Sequence, residues 1–391
     1  MTHFEDVAMG EYETSWQSGQ AKTITFIVTE DCQLRCGYCY LVGKNETSKM
    51  TFGVAKTAVD TILRDRKLFW KSSVIWDFIG GEPLLEIDMI DCLCDYIKLQ
   101  MYLLDHPWFN SYRFSFSTNG LLYADPRVQR FIRKNERHVS MSISIDGTKE
   151  KHDAQRVFPD GRGSYDEVIR NVPLWLRQFS TASTKATVSH SGLPGLKDAV
   201  VHLWALGMKS VTINLVNEDV WQPGDNLIYE EQLRQLADYI MEAEIYYTHN
   251  CSFFSKTIGQ PIDARDDINW CGAGKMLAID CNGTFYPCVR FAPFSMQNKP
   301  ARAIGNCFDG LDMNKLRPFL TLNRSMQSPA QCLECDVASG CSWCQGNNYD
   351  FALTDTVFQR ATYTCDMHKA RVRANRYFWQ RLQEKVEREP A

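Results

Sequence analysis

The sequence predicts an α/β fold, because predicted strands and helices alternate six times between residues 21 and 225. Repeated strand–helix units of this kind form parallel sheets with right-handed crossovers. The composition then changes, since nine of the 15 cysteines follow residue 270. We therefore expect a large α/β domain followed by a small cysteine-rich domain.

Six segments are predicted as strands, because β-branched and aromatic residues concentrate in them. Gly80-Gly81, Asn119-Gly120 and Asp146-Gly147 end the second, third and fourth of these segments with turn residues. The fourth segment alternates serine with apolar side chains, which is typical of a strand with one buried face. The predicted strands are residues 23–29, 73–79, 112–118, 139–145, 184–189 and 210–216.

The segments between the strands have the spacing of amphipathic helices. In the first of them, Val54, Ala58 and Ile62 lie on one helix face. The predicted helices are residues 51–69, 84–104, 127–135, 164–179 and 196–206, and a basic helix at residues 370–387. We expect this last helix to cap the cysteine-rich domain.

Composition restricts the class of protein. The chain has 391 residues, of which 44% are hydrophobic, and a formal net charge of -4. That charge gives no basic field for nucleic acid, and the apolar runs are too short to span a membrane. The first residues do not resemble a signal peptide, so we expect a cytoplasmic protein. In that compartment, cysteines bind metals or clusters more often than they form disulfides.

Three cysteines, Cys32, Cys36 and Cys39, lie in a loop directly after the first predicted strand. Structural zinc needs four ligands, and a disulfide would leave one thiol over. A four-iron cluster held by three thiolates, with one iron left open, accounts for the odd number. A zinc site with distant partners is the alternative.

This C-x3-C-x2-C loop resembles the radical S-adenosylmethionine (radical SAM) superfamily. The resemblance implies that the three cysteines bind a [4Fe-4S] cluster whose open iron chelates SAM. Reductive cleavage of SAM then gives a 5′-deoxyadenosyl radical, which abstracts a hydrogen atom from the substrate. It also implies a partial (β/α)6 TIM-like barrel of the radical SAM type, with a lateral opening for a large substrate.

The same resemblance implies a set of SAM contacts. The Gly80-Gly81-Glu82-Pro83 loop would bind the amino group, Ser144 the carboxylate or ribose, and Arg156 the carboxylate. Leu215 and Val216 would form the floor beneath the adenine, and Tyr38 would lie near the cluster. A plain Gly-Gly turn, ordinary packing of Tyr38 and solvated loop charges are the alternatives.

The cysteines that follow residue 270, which we call the second cysteine field, resemble the SPASM extension. That extension carries two auxiliary [4Fe-4S] clusters, which would bring the total number of clusters to three. That resemblance assigns Cys332, Cys335, Cys341 and Cys365 to one cluster. It assigns Cys271, Cys288 and Cys344 to the other, with Cys281 as the best fourth ligand. The spacing C-x2-C at Cys341 and Cys344 departs from the usual C-x3-C, so the partition is open, and a substrate thiolate could fill an open position. A zinc ribbon is the alternative.

The predicted organisation has five parts. They are an N-terminal extension at residues 1–20, the barrel at 21–225, a connecting segment at 226–268, the SPASM domain at 269–370 and the C-terminal helix at 371–391. Cys251 and Cys307 are predicted to be packing residues.

Residues 76–83, 269–276 and 358–365 resemble maturases whose substrates are peptides with Cys-x-x-x repeats. This implies a ribosomally made, cysteine-rich precursor peptide, a thioether formed from a cysteine, and an external electron donor such as flavodoxin or ferredoxin. Formylglycine formation on sulfatases, epimerisation and carbon–carbon crosslinking are alternatives. The sulfatase hypothesis is weakened because Val289 occupies the position where those maturases have an aspartate. No catalytic base is assigned. Two hypotheses from other functional classes remain: a redox carrier and a zinc-dependent peptide-binding module.

Overall fold

The computed structural model describes residues 21–41, 47–69, 73–218, 220–268 and 271–388. The predicted N-terminal extension lies outside these ranges. The strands are β1 (Ala21–Thr29), β2 (Ser73–Gly80), β3 (Tyr112–Thr118), β4 (Val139–Ile143), β5 (Lys185–Val188), β6 (Ser210–Leu215), β7 (Asn250–Cys251), β8 (Leu277–Ile279), β9 (Thr284–Tyr286), β10 (Gly305–Asn306) and β11 (Gly310–Leu311). The helices are α1 (Phe52–Arg64), α2 (Ile87–Leu103), α3 (Pro126–Lys134), α4 (Lys149–Asp153), α5 (Tyr165–Ile169), α6 (Val172–Gln178), α7 (Leu196–Ala205), α8 (Asp225–Glu242), α9 (Met313–Thr321), α10 (Arg324–Gln327), α11 (Ala330–Leu333), α12 (Gln345–Phe351) and α13 (Cys365–Arg388).

The predicted α/β fold with parallel strands is confirmed. Strands β1, β2, β3 and β4 pair in that order, all parallel, and β5, β6 and β7 form a second parallel sheet. A side chain links the two sheets: the Thr184 hydroxyl donates to the Ile143 carbonyl at 2.7 Å and accepts from the Ile145 amide at 2.8 Å. The barrel wall therefore passes from β4 to β5 through a threonine in place of a backbone ladder.

Several predicted helices have different bounds in the structure. The helix expected at residues 51–69 ends at Arg64. The helix expected at residues 164–179 is two helices, α5 and α6, because Pro173 lies in the first turn of α6 and has no amide hydrogen to continue a single helix. The C-terminal helix begins at Cys365, five residues before its expected start at residue 370. A predicted cluster ligand is therefore the first residue of α13.

The four strands β1 to β4 have one apolar and one polar face. On the apolar face, the Phe26 ring stacks on Trp76 and Phe78, with ring centroids 6.1 and 5.8 Å apart. On the other face, strand pairing aligns a row of polar side chains, which are Thr25, Asp77, Ser115 and Ser140. Because side chains alternate along a strand, the aromatic core and this polar row are consequences of one pattern.

The cysteine-rich segment continues the barrel sheet. Strand β8 pairs in parallel with β1, and β9, β10 and β11 extend the sheet in antiparallel order. Helix α13 packs on α8, where the Tyr377 hydroxyl donates to Asp238 at 2.7 Å and Arg373 bonds Glu230 at 2.6 Å. The basic side chains of the last helix are thus used within the fold, and the proposed domain boundaries stay a prediction.

No helix in the described ranges combines the length and apolar composition that crossing a membrane requires.

Gly81 provides a stability prediction. A Cβ at this position would lie 2.0 Å from the Asp31 carbonyl oxygen, which is backbone and cannot move aside. We expect Gly81→Ala to destabilise the apoprotein by about 3 kcal/mol or more, seen as a lower midpoint of thermal unfolding. In the control Gly53→Ala the nearest atom is 3.9 Å away, so this midpoint should be unchanged or slightly raised. Equal midpoints for the two variants would contradict the prediction.

Candidate active site and cluster sites

A cavity of about 410 Å³ lies at the carboxyl ends of the barrel strands, where parallel α/β folds bind ligands. Except for Pro83, it is lined by every residue that the sequence assigned to the first cluster or to SAM. These residues are Cys32, Cys36, Cys39, Tyr38, Gly80, Gly81, Glu82, Ser144, Arg156, Leu215 and Val216. The structure brings them together, and their individual contacts with cluster and SAM stay predictions.

Backbone hydrogen bonds hold the cysteine loop over this cavity. The Arg35 amide donates to the Val157 carbonyl at 2.7 Å, and the Gly37 amide donates to Gln155 at 3.0 Å. At Cys32, the sulfur accepts from the Leu34 amide at 3.4 Å and from the Asn119 side chain at 3.9 Å. Such N–H donors stabilise a thiolate, so the local chemistry fits a cluster ligand.

The Gly-Gly pair has a structural role that the sequence did not indicate. The Gly81 amide donates to the Thr29 carbonyl at 2.8 Å, and the Glu82 amide donates to Asp31 at 2.8 Å. A Cβ on Gly80 would lie 2.1 Å from the Thr29 carbonyl oxygen. The glycines therefore let the end of β2 pass directly against the cysteine loop, in addition to any approach to a ligand.

Glu82 connects the ends of β2 and β3 beneath this loop. Its carboxylate accepts from the Thr118 hydroxyl at 2.6 Å, the Asn119 amide at 2.7 Å and the Leu84 amide at 3.1 Å. The residue is 1% exposed. Burial raises the pKa of Glu82 from 4.5 to about 7, and the three hydrogen bonds oppose this shift.

This raised pKa predicts a pH-dependent stability. In the folded state Glu82 keeps a proton that it releases near pH 4.5 in the unfolded chain. Its stabilising contribution to the free energy of unfolding is therefore full below pH 4.5 and is lost as the pH rises through 7. The shift corresponds to about 3 kcal/mol. In urea unfolding from about pH 5 to about pH 8, the free energy of unfolding of Glu82→Gln should rise relative to wild type by an amount of this order. A constant difference between the two proteins would contradict the prediction.

Asp146 organises two of the predicted SAM contacts, and the sequence analysis did not identify it. Its carboxylate bonds the Arg156 Nε at 3.0 Å, accepts from the Tyr38 hydroxyl, and accepts from the Thr187 amide at 3.0 Å. The Arg156 guanidinium also lies 5.5 Å from the centre of the Tyr38 ring. Burial raises the pKa of Tyr38. Asp146 directly follows the predicted fourth strand at residues 139–145, and that position was the available signal.

Part of the cavity wall comes from the cysteine-rich segment. Val289 and Arg290, which follow Cys288, line the cavity. Arg290 is paired with Glu218 at 2.5 Å, and its guanidinium lies 4.8 Å from the centre of the Tyr40 ring. Cys288 is therefore next in sequence to residues that line the cavity.

Four cysteines of the second field surround a smaller cavity of about 90 Å³, as their predicted assignment to one cluster requires. They are Cys332, Cys335, Cys341 and Cys365. The Arg360 guanidinium lines the same cavity and donates to the Cys341 sulfur at 3.1 Å. Burial and the neighbouring thiols raise the pKa values of Cys341 and Cys365. Four thiols, with a cation beside them, are a suitable donor set for an iron–sulfur cluster.

The structure brings together only three of the four cysteines assigned to the other auxiliary cluster. Burial and the proximity of Cys271 and Cys344 raise the pKa of Cys288. Cys281 lies apart from them: its sulfur donates to the Ile27 carbonyl at 3.3 Å and is buried against β1. The reason is the turn between β8 and β9, which directs Cys281 toward the barrel sheet. The expectation that Cys281 completes this set therefore receives no support from the structure.

Cys251 and Cys307 are fully buried, as expected for packing residues.

In the described part of the chain, no three Cys, His, Asp or Glu side chains are arranged to share a single metal ion. The thiolates of a four-iron cluster bind different irons, so they stand farther apart than the ligands of one ion.

Comparisons with known proteins agree with this geometry. Residues 26–203 match the radical SAM superfamily. An uncharacterised protein of Methanocaldococcus jannaschii is 28% identical over 195 residues, which are 50% of this chain and 63% of that one, so the match spans less than two thirds of this relative. The mycofactocin maturase MftC of Mycolicibacterium smegmatis is 24% identical over 332 residues, 83% of this chain and 76% of that protein.

A similar fold is found among solved structures. Native anSMEcpe with bound AdoMet, which is SAM, covers 94% of this chain and 100% of its own, with a TM-score of 0.66 and 17% identity. The same enzyme has also been solved with AdoMet and a peptide. At this identity the likeness concerns the fold. Residues 26–203 are therefore a radical SAM domain, in a chain whose relatives include a maturase.

Proposed function

We propose that this protein is a radical SAM maturase of a ribosomally synthesised, cysteine-rich precursor peptide, and that it forms a thioether from a substrate cysteine. The observation that carries the proposal is the composition of the 410 Å³ cavity. Its wall includes the three-cysteine loop and the predicted SAM contacts. It also includes Val289 and Arg290, which are next to a cysteine of the second field.

The residues predicted to contact the first cluster and SAM would divide the binding of SAM among them. Cys32, Cys36 and Cys39 would hold the cluster, and when SAM is bound and reduced there it supplies the 5′-deoxyadenosyl radical that abstracts a substrate hydrogen atom. Arg156, oriented by Asp146, would bind the SAM carboxylate. Glu82 would accept from the amino group, and the apolar Leu215 and Val216 would support the adenine.

The second cysteine field would supply the thiol chemistry. Joining sulfur to carbon after loss of the thiol proton and of one substrate hydrogen atom leaves one electron, which an auxiliary cluster would take up. Cys332, Cys335, Cys341 and Cys365 form a complete set of four thiols for one auxiliary cluster. Cys271, Cys288 and Cys344 form a set of three, because the Cys281 sulfur is hydrogen-bonded to the Ile27 carbonyl in β1. We propose that a thiolate of the substrate is the fourth ligand of the second set. An external electron donor of the flavodoxin or ferredoxin class would reduce the first cluster.

Formylglycine formation is the second candidate, and epimerisation or carbon–carbon crosslinking would use the same radical. The sulfatase hypothesis predicts a carboxylate where this chain has Val289. The cavity is lined by the valine side chain at that position. We therefore rank thioether formation first.

An anaerobic experiment tests the proposal. The protein is reconstituted with iron and sulfide, and three clusters correspond to about twelve irons. Dithionite and SAM are added, and mass spectrometry detects 5′-deoxyadenosine. A peptide with Cys-x-x-x repeats is then offered, and a thioether is detected as the loss of two hydrogens with one free thiol fewer. Zinc in place of iron, with SAM intact, would exclude the enzyme and favour a binding module.

A further inference from the structure

Three carboxylate side chains line the large cavity in the described part of the chain: Asp77, Glu82 and Glu218. Two of them already have close polar partners within the protein. Glu82 accepts three hydrogen bonds from the protein, and Glu218 is paired with Arg290 at 2.5 Å. Asp77 is the remaining carboxylate of the three, and it is the candidate to react with a substrate.

Asp77 lies in the middle of β2, on the polar face of the barrel sheet. Its partners in the strands beside it are hydroxyl groups: Thr25 donates to its Oδ2 at 3.5 Å, and Ser115 bonds it from β3. A distance of 3.5 Å is at the weak end of hydrogen bonding. Hydroxyl groups therefore hold Asp77 in place, and among the described residues it makes no ion pair within 4 Å.

Two other titratable groups that line the cavity interact electrostatically with Asp77. Lys185 on β5 donates from its Nζ to Ser117 at 2.6 Å and acts on Asp77 by its charge. Tyr40, on the cysteine loop, lies close enough for the two to influence each other. Burial raises the pKa of Asp77, and Lys185, Ser115 and Thr25 limit that rise. A carboxylate in such surroundings is a better base than one in water.

We propose that Asp77 is the proton acceptor for the substrate cysteine, which rests on the proposed function above. In this step the thiol proton moves to a carboxylate oxygen of Asp77, so that the S–H bond breaks and an O–H bond forms. The thiol becomes a thiolate, the carboxylate becomes a carboxylic acid, and no electron is transferred. The thiolate is the form that binds a metal or reacts at carbon.

The test compares wild type with Asp77→Asn, on a synthetic peptide carrying Cys-x-x-x repeats. Both proteins should bind the same iron and form 5′-deoxyadenosine. At pH 7, Asp77→Asn should form thioether about 100-fold more slowly. Its rate should recover as pH rises through about 8.5, where a cysteine ionises without a base. Replacing the substrate cysteine by selenocysteine should also restore the rate at pH 7, because a selenol is already ionised.

Control variants separate this role from a structural one. Asp95→Asn, the same change on an exposed face of α2, should behave as wild type. Asp77→Glu keeps a carboxylate and should keep most of the rate. Thioether formation by Asp77→Asn at the wild-type rate would overturn the proposal. So would a loss that neither high pH nor selenocysteine restores. Wild type that cleaves SAM and leaves the peptide unchanged would instead refute the proposed function.

Discussion

Replacing Cys32, Cys36 and Cys39 together by alanine is expected to abolish SAM cleavage and to remove about a third of the bound iron, four of about twelve atoms. The three thiols line one cavity with the predicted SAM contacts. Without them the sulfonium has no electron source, whatever the auxiliary clusters hold. Iron and sulfide analysis and 5′-deoxyadenosine formation with dithionite measure both effects.

The matched control is Cys92→Ala, because Cys92 is exposed on α2, away from the three sets of thiols. It should keep all of the iron and the wild-type rate of SAM cleavage. Cleavage of SAM by the triple variant would show that a cluster of the second field reduces SAM. Loss of all iron from the triple variant would show that the three sites do not assemble independently.

The larger elements of the fold follow from local sequence patterns, and the smaller ones do not. Strands β1 to β6 are marked by runs of β-branched and aromatic residues that each carry their own signal. Strands β7 and β8 have two and three residues, which is too short for any periodicity. They form because β6 and β1 offer free edges, and that is information about tertiary structure.

The site shows the same division between local and distant information. Cys32, Cys36 and Cys39 could be found because one loop carries all three. Asp146 bonds Tyr38 across 108 positions of sequence, and Glu218 bonds Arg290 across 72. No spacing rule connects such pairs, so the two carboxylates were missed.

Cys281 shows how tertiary structure can place a residue away from its expected partners. The resemblance to the SPASM extension named it as the best partner of Cys271, Cys288 and Cys344. A strand end followed by a tight turn determines where it points, and Gly283 makes that turn with a φ of 84°. The sulfur is thereby directed to the Ile27 carbonyl.

The second large effect is expected at the auxiliary set formed by Cys271, Cys288 and Cys344. Cys344→Ala should lose the iron of one auxiliary cluster and all thioether formation, because Cys271 and Cys288 alone offer two thiolates. It should keep SAM cleavage. Cys281→Ala should keep the iron and the product, since it removes only a hydrogen bond worth about 1 kcal/mol. Iron analysis and product mass spectra distinguish the two variants.

The free thiol of a peptide supplies a further readout, because the position left open in this set is the one that we assign to the substrate. In wild type, adding the Cys-x-x-x peptide should change the EPR spectrum of the reduced auxiliary cluster, and a peptide with serine in place of cysteine should not. Cys281→Ala should respond as wild type does. If Cys281→Ala instead loses the iron of this cluster, the set of four is closed by the protein in the folded holoenzyme. The substrate cysteine would then have to reach its reaction partner without binding iron.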